Sequence, residues 1–211
     1  MLNEFGLTEN NDVRIWNMHN YESPASVDQC DVYIISGSAA SVYDDDKWIL
    51  DLKTFVQQAF VSDKKLQGIC FGHQLINSAF GGTVAKSVNG WGLGVYSTYF
   101  HKIFMELCQG QKLSLFSMHQ DQVIKLAKDF AVIAGNDFCL NYITRYREQV
   151  FTVQGHPEFS AQFFLAFLQE IKEKFSDLAI NTAITSSTNT VDSKEFNLLI
   201  GQFINGERRS I

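Results

Sequence analysis

Short apolar runs rich in β-branched residues alternate along the chain with stretches whose apolar positions recur every three or four residues. That alternation predicts an α/β protein with a mostly parallel central sheet flanked by helices. Residues 13–18 read as a first strand. Residues 31–36, a nearly unbroken apolar run closed by Gly37, read as a strand buried on both faces. Asp44, Asp45 and Asp46 precede apolar positions 48, 49, 52, 55 and 56, a helical spacing with acidic residues at the positive end of its dipole. Residues 66–69 form a short strand that runs into Cys70, and residues 71–80 form a helix stopped by Gly81-Gly82. Further strands are expected at 96–104, 113–117, 131–134 and 149–153. An amphipathic helix is expected over 163–175, a polar connection over 181–193 and a terminal helix over 195–204.

Composition narrows the function. A length of 211 residues fits one domain, taken here as 1–211. A net charge of −6 offers no basic face for phosphate and argues against nucleic acid. There is no apolar run of membrane-spanning length and no secretory leader pattern, so a cytoplasmic protein without a membrane partner is expected. Cys30, Cys70, Cys108 and Cys139 are widely spaced with no CxxC pair, which suits reduced thiols rather than two disulfides. The acidic run at 44–46 has no second cluster to complete a cation site, so no metal and no cofactor are expected. Eighteen phenylalanines imply an aromatic core or aromatic residues left to face a partner.

One segment carries chemistry. Gly68-Ile69-Cys70-Phe71-Gly72 has the G-x-nucleophile-x-G form of a nucleophile elbow between a strand and a helix. Such a turn is sharp and strained, and side chains two positions to either side would collide, hence the glycines. Cys70 would stand at a helix N-terminus, where the dipole favours negative charge on sulfur. The Phe71 backbone N–H would face an oxyanion. Far downstream, His156 and Glu158 are two apart around Pro157 and would point to one side of an extended segment. A carboxylate beside an imidazole fixes its tautomer and raises its basicity, so His156 can take a thiol proton with Glu158 orienting it.

The run Gly68-Ile69-Cys70-Phe71-Gly72-His73-Gln74 with Gly155-His156-Pro157-Glu158 resembles the two signatures of class I glutamine amidotransferases. Ser36-Gly37-Ser38, Gly90-Trp91-Gly92 and His119-Gln120-Asp121-Gln122-Val123 extend the resemblance, which is nearest to small stand-alone members akin to the glutaminase domain of GMP synthase. It implies a flavodoxin-like fold and a triad of Cys70, His156 and Glu158. It further implies an oxyanion hole from the backbones of Gly37 and Phe71, and substrate contacts from Gln74, Gln120 and Asp121. His73 reads as a structural hydrogen-bonder.

The resemblance implies a γ-glutamyl thioester on Cys70 and leaves its purpose open. The chain could hydrolyse glutamine or a γ-glutamyl peptide alone. It could instead be the glutaminase subunit that delivers ammonia to a separate synthase chain, since no G-x-x-x-x-G-K pattern is present. A non-catalytic regulatory module is a third reading, although such a module would be expected to have lost a catalytic residue. Relatives normally open with a strand and a helix ahead of the equivalent of residues 13–18, so residues 1–8 read as the end of that helix and the usual first strand is expected to be missing.

Overall fold

The computed structural model describes residue 5, residues 13–101 and residues 112–206. Among the described residues, nine strands and five α-helices follow in chain order: β1 (Val32–Ile35), α1 (Lys47–Val61), β2 (Lys65–Ile69), α2 (Phe71–Ala79), β3 (Thr83–Lys86), β4 (Gly92–Phe100), β5 (Lys112–His119), β6 (Asp121–Lys125), β7 (Ala131–Gly135), β8 (Ile143–Tyr146), β9 (Val150–Val153), α3 (Ala161–Ile171), α4 (Asp177–Ser186) and α5 (Ser193–Asn205). Seven strands make one mixed sheet in the order β1-β2-β9-β8-β7-β4-β5, and β3 and β6 pair separately. The β1–β2 and β2–β9 pairs are parallel, and the sheet continues antiparallel from β8 outward.

The parallel part is covered on both faces, as parallel strands require. On one face Leu66 of β2 and Val150 of β9 pack with Trp48, Ile49, Leu52 and Val56 of α1 and with Leu75 and Ile76 of α2. On the other, Ile69, Phe151 and Val153 meet Phe196 and Ile200 of α5. Burying each such side chain contributes about 1.5–3 kcal/mol. A third cluster joins Phe116 and Met118 of β5 to Phe164 and Leu168 of α3 and Ala183 of α4. Among the described residues, no helix is long and apolar enough to cross a membrane.

The helices begin and end as their sequences dictate. Ser160 and Ser176 cap α3 and α4 by accepting from the backbone N–H of Phe163 and Ala179. Gly81 follows α2 at φ +86°, the left-handed conformation that ends helices at glycine.

Two expectations fail. Residues 13–17 form no strand, and Met18–Asn20 is a 3-10 turn. A strand needs a ladder partner, and none pairs with this segment among the described residues. Trp16 and Met18 instead pack into the cluster around α1, while Ile15 stays 83% exposed. The polar connection expected from 181 is in its first half helix α4. The hydroxyls of Thr182 and Thr185 donate back to the carbonyls of Leu178 and Asn181, and only Ala183 is fully buried, so the apolar periodicity is thin. The strands β3, β6 and β8 are also additional to those expected. The strand expected at 96–104 begins earlier, at Gly92, and residues 102–104 lie outside the described residues. So do Cys108 and, apart from Phe5, the helix end expected at 1–8.

The tightest steric demand lies where β1, β2 and α2 meet. A Cβ on Gly72 would stand 2.0 Å from the Ile35 carbonyl oxygen, whereas one on Gly81 would meet nothing within 4 Å. Gly72→Ala should therefore cost more than about 3 kcal/mol, through forced movement of packed backbone. Gly81→Ala should cost only about 1–2 kcal/mol, from its positive φ. Urea unfolding of the two variants side by side checks the order. Equal losses would show that the elbow tolerates a side chain.

Candidate active site

Ile69 ends β2 and Phe71 begins α2, leaving Cys70 alone to make the turn, with φ 51° and ψ −105°. A non-glycine residue held there stores about 1–3 kcal/mol of strain and needs surrounding structure to impose it. The Cys70 backbone supplies two anchors: its N–H donates to the Val153 carbonyl at 2.9 Å, and its own carbonyl accepts from the Gln74 N–H at 3.1 Å. The flanking glycines are sterically required. A Cβ on Gly68 would lie 2.7 Å from the Gly72 carbonyl carbon.

His156 and Glu158 follow the end of β9. The His156 N–H donates to the Phe116 carbonyl at 2.7 Å, and Asn197 on α5 donates its side-chain amide to the Pro157 carbonyl at 3.0 Å. So held, the His156 ring places Nδ1 2.8 Å from Glu158 Oε1. Gly37, after β1, closes the group. A Cβ there would be 3.2 Å from His156 Cε1 and 3.8 Å from Cys70 Cβ. Phe71 is the first residue of α2, and the N–H groups of a helix's first turn lack intrahelical acceptors.

These residues open onto a cleft of about 890 Å³. Its lining includes Cys70, Gln74, His119, Gln120, Asp121, His156 and Glu158, together with the loop 36–41 and a set of aromatic residues. Comparison with known proteins supplies the family. "Glutamine amidotransferase class-I" matches residues 7–169. The chain belongs to the class-I glutamine amidotransferase family.

Among relatives, it is 26% identical over 178 residues to gamma-glutamyl peptidase 3 of Arabidopsis thaliana, covering 78% of this chain and 72% of that protein. It is 29% identical over 165 residues to the glutamine-hydrolyzing GMP synthase of Borreliella burgdorferi, covering 76% of this chain and 31% of that protein. A solved glutamine amido transferase from Methylobacillus flagellatus superposes with a TM-score of 0.84 at 17% identity, over 99% of this chain and 89% of that one. At that identity the likeness shows the fold.

The polar residues of this amidotransferase-family cleft are tied to one another. Gln74 donates its amide to the Asp121 carbonyl at 2.8 Å and to Gln154 Oε1 at 3.1 Å. Gln154 in turn donates to the Cys70 sulfur at 3.6 Å. The Asp121 carboxylate accepts from the hydroxyls of Ser41 at 2.6 Å and Tyr43 at 2.9 Å, so it clasps the loop that carries Gly37. Gln154 was missed in the sequence. Its signal was a polar residue at the end of an apolar strand, which burial obliges to find a partner. The aromatic wall was also missed.

Two other histidines lie nearby and stay neutral. Burial lowers His73 to about 3, and its Nδ1 lies 2.7 Å from Thr152 Oγ1, inside a chain that runs on to Thr144 and Asn77. Its place is structural, as the sequence suggested. Burial likewise lowers His119 to about 3. The Cys139 thiol, packed in the core, is pushed up by burial to about 12. Among the described residues, no group of three or more His, Cys, Asp or Glu side chains is placed to hold a metal ion.

His156 behaves in the opposite way. Burial works against its charge, but the Cys70 sulfur beside it and the Glu158 carboxylate bonded to its Nδ1 outweigh that and raise it from 6.5 to about 10. A pKa raised on folding favours the folded state while the group stays protonated. His156 should thus contribute its full stabilisation below pH ~6.5 and lose it as pH rises through about 10. Glu158→Gln should move the loss to lower pH, because one of the raising charges is removed. Titrating the ring by nitrogen-15 NMR in both proteins checks this, and an unshifted midpoint would mean that Glu158 does not hold the imidazolium.

Proposed function

We propose that this protein hydrolyses a γ-glutamyl amide through a γ-glutamyl thioester on Cys70. The observation that carries the reading is the position of His156, hydrogen-bonded at Nδ1 to Glu158 and next to the sulfur of a strained elbow cysteine. The Cys70 thiolate attacks the amide carbon and forms the C–S bond. The carbonyl oxygen becomes an oxyanion facing the N–H groups of Gly37 and Phe71, each worth about 3–4 kcal/mol in hydrolases of this kind. Imidazolium His156 gives its proton to the departing nitrogen as the C–N bond breaks, and the amine leaves. Water then enters, His156 takes its proton, and hydroxide attacks the thioester. Glutamate departs and the thiolate returns. Gln74, Gln120 and Asp121 form the polar end of the cleft and suit the amino and carboxyl groups of the glutamyl half.

The likeness to gamma-glutamyl peptidase 3 supports a hydrolase that acts alone. The likeness to a glutamine-hydrolyzing GMP synthase supports a second reading, a glutaminase subunit that hands ammonia to a separate synthase chain. Assays of the purified chain on glutamine and γ-glutamyl dipeptides separate the two. Turnover unaided is expected. Negligible turnover on every substrate, restored by an ATP-dependent synthase, would establish the second reading instead.

A glutamine-like electrophile should label Cys70 and spare Cys30, Cys108 and Cys139. Mass mapping that finds another cysteine modified and Cys70 intact would remove the nucleophile assignment. His156→Ala should lower kcat by roughly 10²–10⁴-fold, the usual worth of a positioned acid–base group. Glu158→Gln should cost less, because it misorients the base without deleting it. Retention of most activity by His156→Ala would place the base elsewhere, with His119, which lines the same cleft, the next candidate.

A further inference from the structure

The glutamyl half of a substrate would occupy little of the cleft. Its 890 Å³ falls near the top of the range of about 300–1,000 Å³ that suits drug-sized ligands, far more than a free amino acid needs. The surplus is lined by aromatic residues. Phe159 stacks on the His156 ring with centroids 4.1 Å apart and planes 13° apart. Phe163 follows at 4.7 Å from Phe159, and Phe167 at 6.0 Å from Phe163. Phe163 and Phe167, four residues apart, lie along one side of α3, and Phe159 stands just before its N-cap Ser160, while Phe164 and Leu168 face the core. Phe163 and Phe167 remain 51% and 40% exposed, on a helix face that would ordinarily be polar. At the far end stand Ile171, Lys174 and Phe175, the last packed edge-on against Trp91 at 5.1 Å.

The direction of this ladder has a chemical consequence. His156 protonates the nitrogen that leaves, so any substituent on that nitrogen passes the His156 ring. The first residue it meets is Phe159, and the path continues to Phe163 and Phe167. Ammonia would touch none of them. Of the cleft's two acids, Glu158 is bonded to His156, and Asp121, bonded to Ser41 and Tyr43, stands at the end assigned to the glutamyl half. Its two lysines, Lys86 and Lys174, make no ion pair among the described residues.

We propose that the leaving amine is an α-amino acid with a large apolar or aromatic side chain, its side chain laid on Phe159, Phe163 and Phe167 and its carboxylate directed to Lys174. The inference rests on the hydrolase reading above and names its substrate class: γ-glutamyl dipeptides with a bulky apolar second residue.

The test compares kcat/KM on γ-glutamyl-phenylalanine, γ-glutamyl-glycine and γ-glutamyl-phenylalanine amide. Phenylalanine should exceed glycine by about tenfold or more, the scale at which an apolar pocket discriminates. Phe163→Ser with Phe167→Ser should bring that ratio close to one, and Phe163→Leu with Phe167→Leu should restore part of it. Lys174→Ala should shrink the preference for the free acid over the amide. A ratio near one in the unaltered protein overturns the proposal, as does a ratio that survives the double serine change. Calorimetric binding of the same dipeptides to the Cys70→Ala chain reads the preference without turnover. An unaltered enzyme inactive on everything would count against the hydrolase reading. The binding ratio would still decide for or against the ladder.

Discussion

A single backbone hydrogen bond, from the Cys70 N–H to the Val153 carbonyl at 2.9 Å, joins the two halves of the candidate site. It extends the parallel β2–β9 ladder by one residue beyond the strand end, into the elbow. Because β9 runs in register beside β2, the chain leaving Val153 reaches His156 on the same side of the sheet as the cysteine. Register is specified strongly here, since both faces of both strands are buried and a slip by one residue would exchange the faces. The steric limits at Gly68 and Gly72 belong to the same constraint. They let α2 start directly over β1 and β2, with Gly72 against the Ile35 carbonyl. The strain in Cys70 is thus held by a ladder, a helix and two missing side chains.

The electrostatics follow from that placement. An isolated buried imidazolium would be expelled by desolvation, as His73 and His119 show by staying neutral. His156 escapes because a sulfur and a carboxylate bracket it. The imidazolium is compensated only while these partners stay in place, and removing one partner of a buried pair typically costs about 3–5 kcal/mol. The grouping therefore bears on the stability of the fold, whatever chemistry it performs.

Much of this was legible in the sequence because it is local. The elbow glycines, the strand that enters Cys70, the helix that leaves it and the two-residue spacing of His156 and Glu158 are short-range patterns with one steric solution each. The fold class was legible for the same reason. What was not legible depends on partners distant in sequence. Residues 13–18 have the composition of a strand, but composition cannot supply the neighbour a ladder needs. Helix α4 was hidden because its side chains bond to its own carbonyls and bury little. Gln154 looked like a strand terminus, and only the fold places it between Gln74 and Cys70. Likewise Phe163 and Phe167 read as part of an amphipathic face, and only the position of α3 beside His156 turns them toward the cleft.

Asp121 shows how the separate pieces become one cavity. It lies at the start of β6, just beyond the turn from β5, and three other segments attach to it. Its carbonyl takes the amide of Gln74 from α2 and lies 3.1 Å from Nδ1 of His119 at the end of β5, and its carboxylate takes Ser41 and Tyr43 from the loop that leaves Gly37. The wall proposed for the glutamyl end, the backbone proposed to meet an oxyanion and the helix that starts at Cys70 are therefore fixed to a common point. The aromatic wall is attached differently. It rises on α3 after a short segment from His156, anchored through Phe164 and Leu168 to a separate cluster with β5 and α4. One half of the cleft is thus locked by polar bonds around the elbow. The other half is carried on a helix whose exposed side chains can be exchanged without touching that lock. Such a division would let the acyl half of the proposed reaction stay fixed while the amine half diverges, because the aromatic wall meets the locked half where Phe159 stacks on the His156 ring.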